Sequence, residues 1–593
     1  MKQTCLLFLS VFTMTALFSQ TEDDLPRYMT PAERSLLDTY TAPSSRGIEE
    51  PPPFENLRTM AEWEEIQALT VTWRSYPSIL KQIVRASQDE TRVIIFSENP
   101  GQTESYLLGS NAGGPLESMD NIDIVNAESN SIWIRDYGAN TVYGNRVDTL
   151  LLVDWIYNRP RPDDDLIPDE LADYMGINLY STTDAPYDIV NTGGNFMTNG
   201  QGQAYASELV LEENEPGATW SIEPKTEEEI DEILGQFMGL NTYIKMTALP
   251  YDIINHIDMH MKLLDEETLL VGEYPDGIAD GPQINANIDY VVNNFNSYFD
   301  TPLKVVRIPM PDSPSGLWPD DNPPGYYRTY TNGVFVNNSF IYPSYREEYD
   351  TTAARIYQEL LPGYNLVPID CDDSGSNIIA AAGAIHCITH SVGVSDPLLI
   401  VHQPLADTED DVNPYLLTAE IEHRTGIAEA NLFWRLSGEE EYASLPMIFE
   451  SGNNWSASIP PQEVGSTVEY YIEATATNGK VQDRPIVAPE GYWSFDIFGD
   501  VLGTEQLQSL KLQPVYPNPA RSLISIPVYA ERSTAVRMDV FDATGRKIEQ
   551  IFNGAISGDQ RISHFVDSYE PGSYFIVAEG DFGRQVSRLQ VIR

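Results

Sequence analysis

Helical periodicity recurs along this chain and then stops. Up to about residue 395, apolar residues at helical spacing alternate with short buried runs; beyond Pro397 every periodic segment is a short strand. One layer architecture cannot serve both patterns. A length of 593 residues is also too great for one core, so about three or four domains are expected. In the first part, residues 77–88 place Ile79, Leu80, Ile83 and Val84 on one helical face, and residues 91–96 read as a buried strand. Residues 226–240 repeat the helical pattern, with Thr226 as N-cap and Ile230, Ile233, Leu234 and Phe237 on one face. Residues 351–361 form a further helix, stopped by Pro362-Gly363. Strands are expected at 269–272, 305–308 and 333–341. This predicts an α/β domain over residues 54–396, with no internal repeat visible in the sequence.

The second part is all-β. Residues 418–422, 431–436, 456–459 and 467–475 alternate apolar and polar positions, with a turn at Asn478-Gly479. An immunoglobulin-like β-sandwich over 397–504 is expected. A third unit, 505–593, carries strands at 523–528, 535–541, 572–578 and 585–592. At the other end, residues 1–20 have the basic start, apolar run and small Ser19 of a signal peptide, and 21–53 is a polar, Pro-rich leader or propeptide. No later stretch is apolar enough for a transmembrane segment, so an exported protein is expected, secreted or attached to the cell surface.

The formal net charge of −54 argues against a nucleic-acid partner, whose phosphates need a basic face. Of three cysteines, only Cys371 and Cys387 lie beyond the signal peptide. In an exported chain they could form a disulfide, or one could be a functional thiol.

The α/β part holds polar clusters inside apolar runs: Trp133-Ile-Arg-Asp136-Tyr-Gly, Tyr157-Asn-Arg159-Pro-Arg161-Pro, Gly193-Gly194-Asn195, His256-Ile-Asp258, Thr331-Asn332 and His386-Cys387. Taken singly, each has an ordinary explanation. A lone cysteine is usually a small buried hydrophobe. Arg135-Asp136 could be an ion pair, and Gly193-Gly194-Asn195 a turn. Together they supply what hydrolysis of a guanidinium needs. The group is a planar cation with a fixed fork of donors, so carboxylates must be placed for bidentate pairing. Its carbon resists water, so a thiolate is the better nucleophile and gives a covalent intermediate. A histidine must protonate the departing ammonia and then activate water. Asp136 and Asp258 fit the fork, Cys387 the attack and His256 the proton transfer.

In this order the motifs resemble the guanidine-modifying (pentein) superfamily, and within it the bacterial, Porphyromonas-type peptidylarginine deiminases and their agmatine deiminase relatives. The resemblance covers roughly residues 55–395. It implies a five-bladed α/β propeller with a central site. Asp136 and Asp258 would bind the guanidinium, His256 act as acid and base, Cys387 as nucleophile, and Asn332 touch substrate. Trp133 and Tyr157 are further candidate substrate contacts. Arg159 and Arg161 resemble the segment that holds a peptide's C-terminal carboxylate, unless they pair instead with Asp163 to Asp165. The phrases Tyr516-Pro-Asn-Pro-Ala-Arg521 and Asp542-Ala-Thr-Gly-Arg546 resemble the sorting domain of type IX secretion cargo, implying that machinery as a partner.

The expected reaction converts peptidyl-arginine, preferably C-terminal, to citrulline and ammonia, with no metal or organic cofactor. Three alternatives stay open. One is a hydrolase of small guanidines such as agmatine. Another is a zinc hydrolase built on His256, Asp258, His260, His386, Cys387 and His390. The third is a surface binding protein with a dead catalytic fold.

Overall fold

A computed structural model describes residues 25–498 apart from 219 and 221. It also describes residues from 510 to 591, with interruptions at 514, 517, 519, 521–522, 543–545, 567 and 581–582. The expected signal peptide lies outside the described residues.

Residues 58–393 build five sheets, and each contains the same module. Two antiparallel strands are followed by a helix that crosses back to a parallel third strand. Asn140–Gly144 and Thr149–Tyr157 pair antiparallel, helix Ile167–Met175 crosses, and Leu179–Thr182 adds in parallel. Met197–Thr198, Gln203–Ser207, helix Glu227–Met238 and Thr242–Met246 repeat the pattern. So do Met261–Leu263, Thr268–Glu273, helix Gly281–Asn294 and Lys304–Pro309. The fourth module is Val334–Val336, Ser339–Ser344, helix Glu347–Leu360 and Asn365–Asp370. The fifth joins distant parts of the chain: His390–Gly393 pairs antiparallel with Ile66–Thr72, and helix Pro77–Ser87 leads to Arg92–Ser97 in parallel. A structural repeat therefore exists where the sequence displays none. The crossover helices differ in length and their core positions are filled by different residues, which erases the period from the sequence.

Local chemistry accounts for the clearest elements. Helix Glu227–Met238 opens on a reciprocal capping box, in which the Thr226 hydroxyl accepts the Glu229 N–H while the Glu229 carboxylate accepts that of Thr226. It ends at Gly239, whose φ of 73° suits the left-handed cap. Its apolar face, Ile230, Ile233, Leu234 and Phe237, joins Trp155 and Phe196 in one buried cluster. Helix Pro77–Ser87 buries Ile79, Leu80, Ile83 and Val84 as its periodicity requires.

Three expected strands differ in outcome. Residues 333–341 form a hairpin rather than one strand, because Asn337 adopts a left-handed φ of 48° between Val334–Val336 and Ser339–Ser344. The runs 523–528 and 535–541 merge into one strand, Leu523–Asp542, with a register irregularity between Ala530 and Thr534. The helix expected at 351–361 starts earlier, at Glu347.

Beyond the five modules lie two β units. One has a four-stranded and a five-stranded sheet that share a core including Leu417, Ile421, Leu432, Tyr470 and Ile472. Tyr415–Glu422 shows the alternating burial of a strand with one face inward. The other unit is one five-stranded sheet whose core includes Ile524, Val528, Met538, Ile576 and Leu589. The strand Lys547–Phe565 in it was not anticipated. No helix among the described residues is long and apolar enough to cross a membrane.

Candidate active site

Each of the five modules is entered through a tight turn, and these turns carry the chemistry. Helical turn Ile134–Tyr137 brings Asp136, Gly193–Asn195 brings Gly194, Ile257–Met259 brings Asp258, and His386–Ile388 brings Cys387. The turn at 331–333, closed by the Gly333 N–H on the Thr331 carbonyl at 2.9 Å, brings Asn332. The turn of Asp136 packs on those of Gly194 and Cys387, and the turn of Gly194 on that of Asp258. All five named residues except Gly194 were candidates from the sequence.

At their meeting point lies Arg27, from the segment ahead of the first module. The Arg27 side chain is completely buried. Its Nε and Nη2 donate to the two oxygens of Asp136 at 2.9 and 2.7 Å. Its Nη1 and Nη2 donate to the two oxygens of Asp258, both at 3.1 Å. Nη1 also lies 2.5 Å from Sγ of Cys387. Two carboxylates grip the planar fork while a thiol faces it, the arrangement that guanidine chemistry demands. Nothing in that polar segment marked this arginine, so sequence reading missed it.

Supporting contacts hold each group. Asn332 does not touch the guanidinium. Its Oδ1 accepts the His386 N–H at 3.0 Å and lies 3.3 Å from Sγ of Cys387, and its Nδ2 donates to the Asp258 carbonyl at 3.2 Å. It therefore fixes the cysteine turn. His386 lies between two carboxylates, Nδ1 at 2.9 Å from Asp258 and Nε2 at 2.7 Å from Glu62. Glu62 in turn accepts from Lys262 at 2.6 Å. Arg135 pairs with Glu62 at 3.5 Å, not with Asp136. Glu62 and Lys262 were also missed, because isolated charges in a sequence read as solvated surface. His256 follows Asn255, whose φ is 55°, and its backbone N–H is held by Asp252 at 3.1 Å. Its Nδ1 is 3.5 Å from Asp136 and neither ring nitrogen has a hydrogen-bond partner.

Electrostatics sort these groups by role. Burial pushes Asp136 and Asp258 up, but Arg27 and His256, joined at Asp258 by His386, together outweigh it and hold both below the ordinary carboxylate range. Burial pushes the Cys387 thiol well up, and Arg27 opposes that only in part. Burial, then Arg27, pushes His256 down to about 3. With the site occupied, the start is a neutral thiol and a neutral imidazole.

The two arginines of the Tyr157–Pro162 segment do not converge on one group. Arg159 Nε donates to the Arg27 carbonyl at 3.0 Å. Arg161 donates to the Pro26 carbonyl at 2.7 Å and to Glu33 at 2.7 Å. Asp163, Asp164 and Asp165 bond elsewhere, to Asn130, Ser131 and the Tyr157 N–H. Tyr157 Oη accepts from Arg161 at 3.3 Å, and Trp133 Nε1 donates to the Leu25 carbonyl at 2.8 Å. Cys371 and Cys387 are both free, so no disulfide removes the thiol. Cys371 follows strand Asn365–Asp370, as expected of a strand-end residue. His260 is buried with neither ring nitrogen bonded. Among the described residues no group of His, Cys, Asp and Glu is arranged to hold a metal ion.

Gly194 is required by space. A methyl group there would fall 1.7 Å from Nη2 of Arg27, 2.6 Å from His256 Nδ1 and 2.8 Å from Asp136 Oδ1. Gly194→Ala should therefore lower kcat/KM for any guanidino substrate by about 10²-fold or more and lower the unfolding temperature as well, since the side chains it meets are all buried. Unchanged kinetics would mean that substrates bind elsewhere.

Buried carboxyls also set a pH dependence of stability. Burial raises Asp164 to about 6, Asp252 to about 7, and Asp165 and Glu213 to about 8. These groups stay protonated in the fold where the unfolded chain ionises. Their contribution is complete below the ordinary carboxyl pKa of about 4 and is lost as pH rises through their folded values. The depressed groups Asp136, Asp258 and Glu62 act in the opposite sense, contributing above the ordinary range and failing only as pH falls below it. Burial holds His256 at about 3, His260 and His402 at about 4, and His390 low, so these four favour the fold as pH rises to about 6.5 and offset the carboxyls there. Calorimetric Tm should accordingly decline from about pH 6.5 to about pH 8. A flat or rising Tm would show that the four raised carboxyls are ionised in the fold.

A buried cysteine facing a guanidinium held by two carboxylates defines the class, a guanidino-group hydrolase of the pentein superfamily. Residues 58–392 match the Porphyromonas-type peptidyl-arginine deiminase family, and with more than half its length so matched the chain belongs to that family. Residues 514–592 match the secretion-system C-terminal sorting domain, of the type IX kind. A candidate agmatine deiminase of Vibrio parahaemolyticus is 23% identical over 299 residues, covering 46% of this chain and 78% of that protein. One from Latilactobacillus sakei is 22% identical over 374 residues, covering 58% and 97%. Among solved structures, a candidate arginine deiminase of Porphyromonas gingivalis is similar at 19% identity and a TM-score of 0.49, covering 57% of this chain and 98% of its own. The agmatine deiminase of C. jejuni is similar at 19% and 0.46, covering 58% and 98%.

Proposed function

We propose that the chain is an exported peptidylarginine deiminase, converting peptidyl-arginine and water to peptidyl-citrulline and ammonia. Asp136 and Asp258 hold the guanidinium, Cys387 attacks its carbon and His256 moves the protons. The Cys387 proton passes to His256 as the carbon–sulfur bond forms. His256 returns it to the departing ammonia, then draws a proton from the water that releases citrulline. Asn332, His386 and Glu62 position these groups.

One observation carries the choice of substrate. The arginine in the site is part of a peptide, and the domain holds its backbone: Arg159 on the Arg27 carbonyl, Trp133 and Arg161 on those before it, and the Ala381 carbonyl on the Arg27 N–H at 2.9 Å. Agmatine has none of these groups. A C-terminal arginine would offer Arg159 a carboxylate oxygen at the same place, so both internal and terminal arginines fit. The second reading, hydrolysis of agmatine itself, is favoured by the curated relatives, which are candidate agmatine deiminases. We take the five modules as the five blades of a propeller over 54–396, 397–504 as an immunoglobulin-like sandwich and 505–593 as a type IX sorting domain. Residues 1–20 and 21–53 are then signal peptide and leader, and the secretion machinery is a partner.

Citrulline release from an arginine peptide, with agmatine in parallel, tests the reading. Turnover of the peptide alone is expected. Agmatine turnover in its place would move the enzyme to the small-guanidine branch.

A further inference from the structure

Residues 25–34 lie in the site as a peptide substrate would. We propose that they are one: Cys387 deiminates Arg27 of its own chain, and the leader blocks the site until it has done so. This rests on the guanidine-hydrolase reading and specifies its first substrate.

A purely structural arginine needs only its carboxylates. Arg27 has these, yet its Nη1 also abuts the buried Cys387 sulfur at 2.5 Å, one bond from the carbon to be attacked. Its backbone is seated as well as its side chain, through the contacts with Trp133, Arg159, Arg161 and Ala381. The chain then turns sharply. Thr30 and Glu33 form a reciprocal capping box at helix Pro31–Arg34, and Glu33 binds Arg161 through its other oxygen at 2.7 Å. Further on, the Arg46 N–H bonds to Asp169 at 2.6 Å, the Ser45 hydroxyl meets that of Ser181 at 2.7 Å, and Ile48 bridges to Tyr180. The leader is thus anchored on both sides of Arg27, which makes its guanidinium an intramolecular ligand at high effective concentration.

The step balances. Sγ bonds to Cζ of Arg27 while a Cζ–Nη bond breaks, and the thiol proton leaves with ammonia by way of His256. Water then adds to Cζ and the carbon–sulfur bond breaks; one of the water's protons restores the thiol, and the other passes through His256 to the ammonia, which carries the positive charge away as ammonium and leaves neutral citrulline at position 27. The new ureido group is neutral, so Asp136 and Asp258 lose their counter-ion and the leader loses its main hold. Reaction and release are one event.

The test uses the full chain with its leader intact, residue 27 being read by tandem mass spectrometry over time and over a range of protein concentrations. Citrulline should form at a rate independent of concentration, and arginine should persist in both Cys387→Ala and Cys387→Ser. Hydrolysis of an added arginine peptide should show a lag matching this conversion. Arg27→Ala should abolish the lag and raise the initial rate by about tenfold, since a tethered ligand competes at millimolar effective concentration. Arginine persisting at 27 in a chain that hydrolyses added peptide would overturn the proposal and leave the function standing. A conversion rate that rises with protein concentration would overturn the intramolecular step. No turnover of any guanidinium by wild type or Arg27→Ala would overturn both.

Discussion

Cys387→Ala should retain the fold and lose at least about 10³-fold of activity toward every guanidino substrate. The sulfur is the one strong nucleophile beside the guanidinium, held by the Asn332 amide oxygen and the Ala384 N–H. Losing one buried sulfur creates a small cavity, costing on the order of 1 kcal/mol, so unfolding should shift little. Cys371→Ala is the matched control: its thiol reaches only the Ile369 carbonyl, at 3.4 Å, and its loss should leave turnover intact. Citrulline release by the three proteins under identical conditions decides the matter. Persistent activity in Cys387→Ala would revive a metal-bound water as nucleophile.

Asp258→Asn is the second large effect, with an expected loss of about 10³-fold in kcat/KM. Asp258 touches both Nη atoms of the Arg27 guanidinium and also the His386 ring, so one carboxylate joins the guanidinium to the groups that support the cysteine turn. Asparagine removes the charge and turns an amide donor toward groups that are themselves donors, leaving the buried cation with Asp136 as its one remaining carboxylate. Both kcat and KM should suffer, because the Cys387 turn and the substrate lose a common partner. A variant with near-normal kcat and a raised KM would restrict Asp258 to binding.

Legibility varied with where the information resides. Helix 226–240 was readable because capping, amphipathicity and the terminal glycine are all local. The hairpin at 334–344 was not, since one left-handed asparagine inside a β-rich run leaves no mark on the hydrophobic pattern. In the site, Asp136, His256, Asp258 and Cys387 stood out as polar residues embedded in apolar runs. Asn332 was found but given a different contact, because its partners come from turns far off in sequence. Glu62, Lys262 and Arg27 acquire meaning only from those distant partners, and nothing beside them in the chain announces it.

The fifth sheet has a consequence for when this enzyme can exist. Its inner strands, Ile66–Thr72 and Arg92–Ser97, emerge early during synthesis, whereas the strand that completes it, His390–Gly393, emerges about three hundred residues later. Cys387 belongs to the turn just ahead of that last strand. A nascent chain that ends between Asp258 and Cys387 carries the carboxylates without the nucleophile, and an unpaired edge at Ile66–Thr72. Such long-range closure makes folding slow. A chain halted anywhere ahead of Cys387 therefore holds no complete site, and its chemical silence follows from the topology.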